Sequence, residues 1–200
     1  MNREQAWEIV QGHVEAEGLR RHMQSVEAAM RLYAEKLEED VETWGLAGLL
    51  HDYDWEIHPT LGQHPKEGIP FLRENGCPET VLQAILSHNT AGTGIERSQT
   101  IDYALLACDE ITGLLIAATL VRPDKNIAEL KLKSIKKRWK SKVFAGGVNR
   151  DEVAEATEDF SRVCFGSGLE LWDHAQNVLE AMQGAAEALD LDGRMAAAAS

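Results

Sequence analysis

The sequence predicts an all-α protein, and three observations lead to this prediction. Apolar residues recur at helical spacing through almost all of the 200 residues, and no run alternates convincingly at the period of two that is typical of a β-strand. Prolines and glycines stand where helices are expected to begin and end, as in Cys77-Pro78 and Asn75-Gly76. A chain of this length can bury a sizeable core without disulfides. We therefore predict a single domain over residues 1–200.

The helix boundaries follow from the apolar stripes and from the breaks between them. Pro65 and Pro78 stand where the first turn of a helix can accept proline, and Gly146-Gly147 indicates a break. Residues 53–63 are predicted to form a loop, and residues 195–200 a flexible end. The predicted helices span residues 3–15, 18–37, 40–52, 66–75, 78–89, 98–121, 125–142, 150–160 and 167–190.

The composition is typical of a soluble cytoplasmic protein. The three cysteines form no CxxC pair and leave one over, so we expect reduced thiols rather than a disulfide framework. No signal-peptide pattern opens the sequence. The longest apolar stretch, residues 114–121, is far shorter than the roughly 18–20 residues that span a bilayer. We expect no membrane partner, and the sequence leaves the oligomeric state open.

The charge is distributed unevenly along the chain. The net charge of −13 argues against binding to a nucleic-acid polymer, which requires clustered basic residues. Residues 121–150 nevertheless carry ten basic and two acidic side chains, which is a local charge of +8. The ordinary interpretation is a solvated helix face. The functional interpretation is that Lys133 and Lys137, together with Lys66, bind the phosphate of a small anionic substrate or an acidic partner.

Several ionisable side chains fall on faces that are otherwise apolar. Asp109 is in step with Leu105, Leu106 and Ile116 on one predicted helix. An ionised carboxylate that faces a core is costly unless it is paired or binds a metal. The same pattern recurs in other predicted helices and adds three histidines to the set: His22, His51 and His88.

These side chains form a ligand mixture suited to a divalent transition metal. Neutral imidazoles combined with carboxylates favour iron, manganese, cobalt, nickel or zinc over calcium. A single inward histidine is more often a core residue that donates to a backbone carbonyl. The adjacent pair His51-Asp52, together with the other candidates, favours a metal site instead.

The order of these residues resembles that of the HD-domain metal-dependent phosphohydrolase superfamily. The pattern consists of His22, then His51-Asp52 preceded by the apolar residues 46–50, and then the distant Asp109. The resemblance covers residues 18–118. It implies a helical bundle of the HD-domain type, to which residues 119–194 add a helical C-terminal extension.

His64 and His88 are similar to the extra ligands of the superfamily's binuclear branch. That branch includes HD-type diadenosine tetraphosphate hydrolases and some cyclic-dinucleotide phosphodiesterases. By this resemblance, one ion takes His22, His51, Asp52 and Asp109. The second ion takes His64 and His88, with Asp52 as the bridge. The lysine that the cyclic-dinucleotide enzymes carry just after the His-Asp pair is absent here, where Asp54, Trp55 and Glu56 stand instead.

The resemblance implies hydrolysis of a phosphoester or phosphoanhydride, in a nucleotide or a small metabolite, by metal-activated water. Asp52 is the expected central catalytic residue, and Asp54, Glu56 or Lys66 is expected to supply a proton to the leaving group. Two alternatives remain open. One is a diiron oxygenase of the myo-inositol oxygenase type, whose ligand set is similar. The other is a non-catalytic module that senses a nucleotide.

Overall fold

The computed structural model describes residues 1–141 and 143–197, and it confirms the all-α prediction. Over these residues the chain forms eleven α-helices, one 3₁₀ turn and no β-strand. The helices are α1 (Arg3–His13), α2 (Glu17–Leu37), α3 (Val41–Leu50), α4 (Ile69–Glu74), α5 (Glu79–His88), α6 (Thr90–Thr93), α7 (Thr100–Leu120), α8 (Leu132–Trp139), α9 (Arg150–Phe165), α10 (Leu171–Gly184) and α11 (Arg194–Ala197).

The chain divides into two compact units, Met1–Leu106 and Ala107–Ser200. The boundary falls inside α7, so this helix begins in the first unit and ends in the second. The division does not coincide with the predicted limit of the metal-binding core at residue 118. The single-domain arrangement therefore stays a prediction.

The first unit is built around α3, which packs against α1, α2 and α5. Every residue of α3 from Trp44 to Leu50 is buried, as expected for a central helix that is apolar on all sides. Asp40 caps its first turn by accepting a hydrogen bond from the backbone N–H of Thr43. The close packing of α2 on α3 brings His22 of α2 beside the end of α3.

In the second unit, α10 packs against α8, α9 and the 3₁₀ turn Ile127–Glu129. The indole rings of Trp139 in α8 and Trp172 in α10 meet edge to face, with their centroids 5.5 Å apart. The buried His174 bonds through Nε2 to the carbonyl oxygen of Ala107 at 2.9 Å. Aromatic packing and one buried polar contact thus fix α10 within this unit.

The basic segment contains less helix than the sequence predicted. The prediction was one helix over residues 125–142, whereas the structure has the 3₁₀ turn, an extended Leu130 and then the short helix α8. The break lies at Leu130 and Lys131, whose backbone is extended. Nε2 of Gln183 donates to the carbonyl oxygens of Ile127 and Leu130, which a continuous helix would bond internally. The end of the predicted helix at Lys142 and residues 198–200 of the predicted flexible end lie outside the described residues.

Helix α7 is long and apolar enough, by length and composition alone, to cross a membrane. Core helices of soluble proteins meet the same criterion, and more than half of the most apolar window of α7 is buried within the protein. The expectations of a soluble, cytoplasmic protein stay predictions.

Candidate metal centre

The predicted ligands in the first unit lie on α2, at the ends of α3 and α5, and in the loop between α3 and α4. Helix α3 ends at Leu50, two residues earlier than predicted, so His51 is its C-cap and Asp52 begins the following turn. Helix α5 ends at His88. His64 lies in the loop before α4, and His22 lies in the first half of α2.

A first group consists of His22, His51 and Asp52, whose ligand atoms all lie within 4.8 Å of one another. The Nε2 atoms of His22 and His51 are 3.2 Å apart. Oδ2 of Asp52 lies 3.4 Å from Nε2 of His51 and 3.8 Å from Nε2 of His22. Two imidazoles and one carboxylate oxygen therefore converge on one point.

A second group consists of Asp52, His64 and His88, within the same limit of 4.8 Å. The Nε2 atoms of His64 and His88 are 3.1 Å apart. The other oxygen of Asp52, Oδ1, lies 3.1 Å from Nε2 of His64 and 3.7 Å from Nε2 of His88. Asp52 is therefore common to both groups and turns one oxygen toward each.

The hydrogen bonds of three histidine rings select the ring nitrogen that is available to a metal. Nδ1 of His51 bonds to the carbonyl of Gly48 at 2.9 Å, and Nδ1 of His88 bonds to the carbonyl of Ile85. Nδ1 of His64 bonds to Oδ1 of Asp54 at 2.8 Å. Carbonyl and carboxylate oxygens only accept, so Nδ1 carries the proton in each ring. In a neutral ring, Nε2 then presents its lone pair toward Asp52.

The positions of His51 and His88 at helix C-termini also favour a cation. Each ring bonds to the carbonyl three residues earlier, which satisfies one of the acceptors left open in the last turn of α3 or α5. The C-terminal end of a helix carries partial negative charge, which stabilises a nearby cation by about 0.3–1 kcal/mol. Two such ends meet at this site.

The site is largely buried, and burial shapes its protonation. The side chains of His51, His64 and His88 are 0%, 3% and 7% exposed, whereas Asp52 is 18% exposed. Burial raises the pKa of Asp52, but the interactions with His51, His64 and His22 lower it by a larger amount. The pKa of Asp52 therefore lies well below its usual value. Asp52 is thus an anion at neutral pH.

The pKa of His64 is shifted in the opposite direction, above its usual value. Burial lowers the pKa of His64, but its hydrogen bonds to Asp52 and Asp54 outweigh burial and raise this pKa to about 9. In the metal-free chain the imidazole is therefore protonated and held between two carboxylates. A positive charge at this point balances Asp52, which is the role a bound cation would take over.

The donor set fits divalent transition metals. A metal–nitrogen distance of about 2.1 Å places adjacent ligand atoms roughly 3.0–3.4 Å apart in octahedral or tetrahedral coordination. The facing nitrogens of the two histidine pairs are 3.2 Å and 3.1 Å apart, within this range. Nitrogen and carboxylate ligands together match iron, manganese, cobalt, nickel or zinc.

Asp109, the remaining predicted ligand, lies on α7 in the second unit and is half-buried. Its negative charge adds to the effect of burial in raising the pKa of two neighbours, Cys108 and Glu110, the latter to about 8. The two ligand groups described above are formed by residues of the first unit. Ligation by Asp109 stays a prediction.

The three predicted proton donors occupy different environments. Asp54 is buried, and one of its oxygens accepts from His64. Glu56 is exposed, and its carboxylate accepts hydrogen bonds from the backbone N–H groups of Glu15 and Ala16 at 2.7 and 2.9 Å, which lower its pKa. Lys66 is exposed, two residues after His64. Of the predicted substrate-binding residues, Lys133 and Lys137 are exposed on α8 in the second unit.

Comparison with known families identifies the class of protein to which this helical scaffold and site belong. The model of the HD domain family matches residues 19–120, about half of the chain. The chain belongs to the HD domain family. HD domains bind divalent metals, and their family includes metal-dependent hydrolases. No curated protein and no solved structure matches the chain.

Proposed function

We propose that this chain is a metal-dependent phosphohydrolase with two metal ions, of the branch that resembles the HD-type diadenosine tetraphosphate hydrolases. The observation that carries the proposal is the position of Asp52, with one oxygen toward His22 and His51 and the other toward His64 and His88. A carboxylate placed in this way could bind both ions of a binuclear hydrolytic site. Bound at the two groups, the ions would lower the pKa of water toward about 7 and withdraw charge from a phosphoryl oxygen.

The substrate we propose is a phosphoester or phosphoanhydride of a nucleotide or small metabolite. Asp52 and His22 are the most exposed of the ligands in the two groups, with side chains 18% and 19% exposed, so their side of the site is open to solvent. The protein residues have two tasks. Asp52 joins the two ligand groups, and the buried rings of His51, His64 and His88 limit the access of water to the ligand atoms.

We assign the proton donation to the leaving group, or the binding of a phosphate oxygen, to Lys66. Glu56 is poorly suited to donate a proton, because two backbone N–H groups stabilise its ionised form. Asp54 is buried against His64. Lys66 is exposed beside the loop that carries His64 and brings a positive charge to an acidic chain.

Lys133 and Lys137 of the basic segment are proposed as a second phosphate-binding element. Lys136 and Arg138 lie over the rings of Trp172 and Phe144, at 5.2 and 5.6 Å from the ring centroids. Lys133 and Lys137 are exposed. A Lys133→Ala/Lys137→Ala variant is expected to raise KM for an anionic substrate by several-fold and to leave kcat unchanged.

The proposed function is tested by assaying the purified chain, loaded in turn with Mn²⁺, Co²⁺, Fe²⁺, Ni²⁺ and Zn²⁺, against dinucleoside polyphosphates, nucleotides and p-nitrophenyl phosphate. We expect phosphate or nucleotide release that Asp52→Asn abolishes. Oxygen uptake by the iron form, without hydrolysis, would favour the diiron oxygenase. A tightly bound nucleotide that survives every metal would favour the sensing module.

A further inference from the structure

His64 differs from His51 and His88 in what holds its ring. His51 and His88 each bond to a carbonyl of their own helix, three residues earlier. His64 lies in a loop before α4, and its Nδ1 bonds instead to the side chain of Asp54, ten residues away. The orientation of this one imidazole therefore depends on a carboxylate.

The carboxylate of Asp54 is itself tightly enclosed. Its side chain is 1% exposed, and Gly68 closes one side of it. A Cβ atom at Gly68 would lie 2.7 Å from Oδ2 of Asp54 and 2.8 Å from the hydroxyl oxygen of Tyr53. That hydroxyl in turn donates to the carbonyl of Gly68. Only a residue without a side chain leaves Asp54 in place.

The enclosure of Asp54 has an energetic cost at its second carboxylate oxygen, Oδ2. Oδ2 is buried and, within residues 1–141 and 143–197, has no hydrogen-bond partner. An unsatisfied buried acceptor costs about 1–3 kcal/mol, and more when it is charged. A carboxylate committed only to the stability of the fold would be better replaced by an apolar side chain of similar size. Its hydrogen bond to the candidate ligand His64 points to a role at the metal centre.

We propose that Asp54 is a positioning residue for the second metal ion, which keeps the proton of His64 on Nδ1 and turns Nε2 toward Asp52. This proposal rests on the proposed function, since it assumes that His64 binds a metal. Asp54 does not touch the reacting atoms. It acts through His64. Carboxylates that accept a hydrogen bond from a metal-bound histidine act in the same way, and their loss lowers metal affinity by about 10–100-fold.

The test uses Co²⁺ binding to the metal-free full chain, followed by calorimetry and by visible absorption. Wild type is expected to bind two ions. In Asp54→Asn, the second ion is expected to bind about 10–100-fold more weakly, and the first ion with unchanged affinity. Glu56→Gln is the control, because it removes a carboxylate two residues away that accepts from the backbone N–H groups of Glu15 and Ala16 rather than from His64. Equal affinity for both ions in Asp54→Asn and wild type would overturn the proposal.

A second variant leaves every ligand and Asp54 itself in the sequence. Gly68→Ala is expected to displace Asp54 and to weaken binding of the second ion alone. Gly62→Ala, at a loop glycine whose Cβ position has nothing within 4 Å, is expected to change the binding of neither ion. Thermal unfolding checks that each variant is folded. Gly68→Ala that is folded and binds both ions as wild type does would contradict the proposal.

A further readout separates this proposal from the proposed function. The ¹⁵N chemical shifts of the neutral His64 ring in the metal-free chain, followed over a pH titration, report which nitrogen carries the proton. We expect the proton on Nδ1 in wild type and a larger share on Nε2 in Asp54→Asn, because the amide can donate to Nδ1. A wild-type chain that binds no metal would refute the function. An unchanged proton position in Asp54→Asn would refute the role of Asp54.

Discussion

Gly48 of α3 lies so close to Glu27 of α2 that no side chain fits between the two helices. A Cβ atom at Gly48 would lie 2.7 Å from the backbone nitrogen of Glu27. The contact lies within about one and a half turns of the metal centre on both helices, since His51 follows Gly48 by three residues and His22 precedes Glu27 by five. The approach of the two backbones thus sets the distance between the first two predicted ligands.

We expect Gly48→Ala to lower the free energy of unfolding by about 1–3 kcal/mol, the usual cost of overpacking, and to weaken metal binding at the group of His22 and His51. The measurement is chemical denaturation together with metal titration. Gly12→Ala is the matched control, because Gly12 lies in α1 with nothing within 4 Å of its Cβ position. That change is expected to stabilise the helix by up to about 1 kcal/mol. Equal stability of the two variants would contradict the role of Gly48.

The buried Glu27 is expected to be important for stability. Its carboxylate accepts from both Arg3 and Arg31, and its side chain is 5% exposed. Glu27→Ala leaves two partly exposed guanidinium groups without this partner, and we expect a loss of about 1–3 kcal/mol. Glu42→Ala removes an exposed partner of the same Arg31 and is expected to cost about 1 kcal/mol or less. Thermal and urea unfolding of the two variants, measured side by side, test whether Glu27→Ala loses more stability than Glu42→Ala.

His88→Ala is expected to reduce the metal content from two ions per chain to one. His88 belongs only to the second group, whereas the first group keeps all three of its side chains. His58→Ala is the control, because His58 lies in the same region of the chain but in neither group. Elemental analysis that finds the same content in His88→Ala and wild type would mean that the second group holds no ion.

The buried His174 is expected to make stability depend on pH. Burial lowers its pKa from 6.5 to about 4, so the folded chain binds this proton less readily than the unfolded chain. Its contribution is present above about pH 6.5 and is lost as the pH falls toward about 4, by an amount of about 3 kcal/mol. His174→Phe removes this titration.

The measurement is the difference in unfolding free energy between wild type and His174→Phe at a series of pH values. We expect the difference to favour wild type at pH 7 and to diminish as the pH falls below 6.5. His58→Gln, which replaces a histidine that is not fully buried, should follow wild type throughout. A constant difference between wild type and His174→Phe would show that His174 does not titrate on unfolding.

The sequence was sufficient to predict the helices with strong periodicity. The predicted helix 18–37 and the observed α2 agree within one residue, because a long apolar stripe defines it. The prediction of one helix over 167–190 was wrong at both ends, since α10 spans Leu171–Gly184. The predicted helix 150–160 was too short: α9 continues to Phe165, where Gly166 in a left-handed conformation ends it. The glycine was visible in the sequence and would have marked this end.

The site could be predicted as a set of side chains but not as a set of contacts. The pair His51-Asp52 was recognisable from the apolar residues 46–50 that precede it and from its order between His22 and Asp109. The carboxylate oxygens of Asp52 diverge toward two histidine groups because of how the turn after α3 runs, which no local pattern encodes. The contact between Asp54 and His64 spans ten residues of loop, and the close approach of Gly68 depends on where that loop returns. Such relationships arise only from the folded backbone.

The central claim is that Asp52 joins two metal-binding groups. The most direct test is the metal content of the purified full chain by elemental mass spectrometry, comparing wild type with Asp52→Asn after loading with Mn²⁺ or Co²⁺. We expect two ions per wild-type chain and fewer than one in Asp52→Asn, because the substitution removes the anionic ligand from both groups at once. One ion in wild type, or two ions retained in a folded Asp52→Asn, would contradict it.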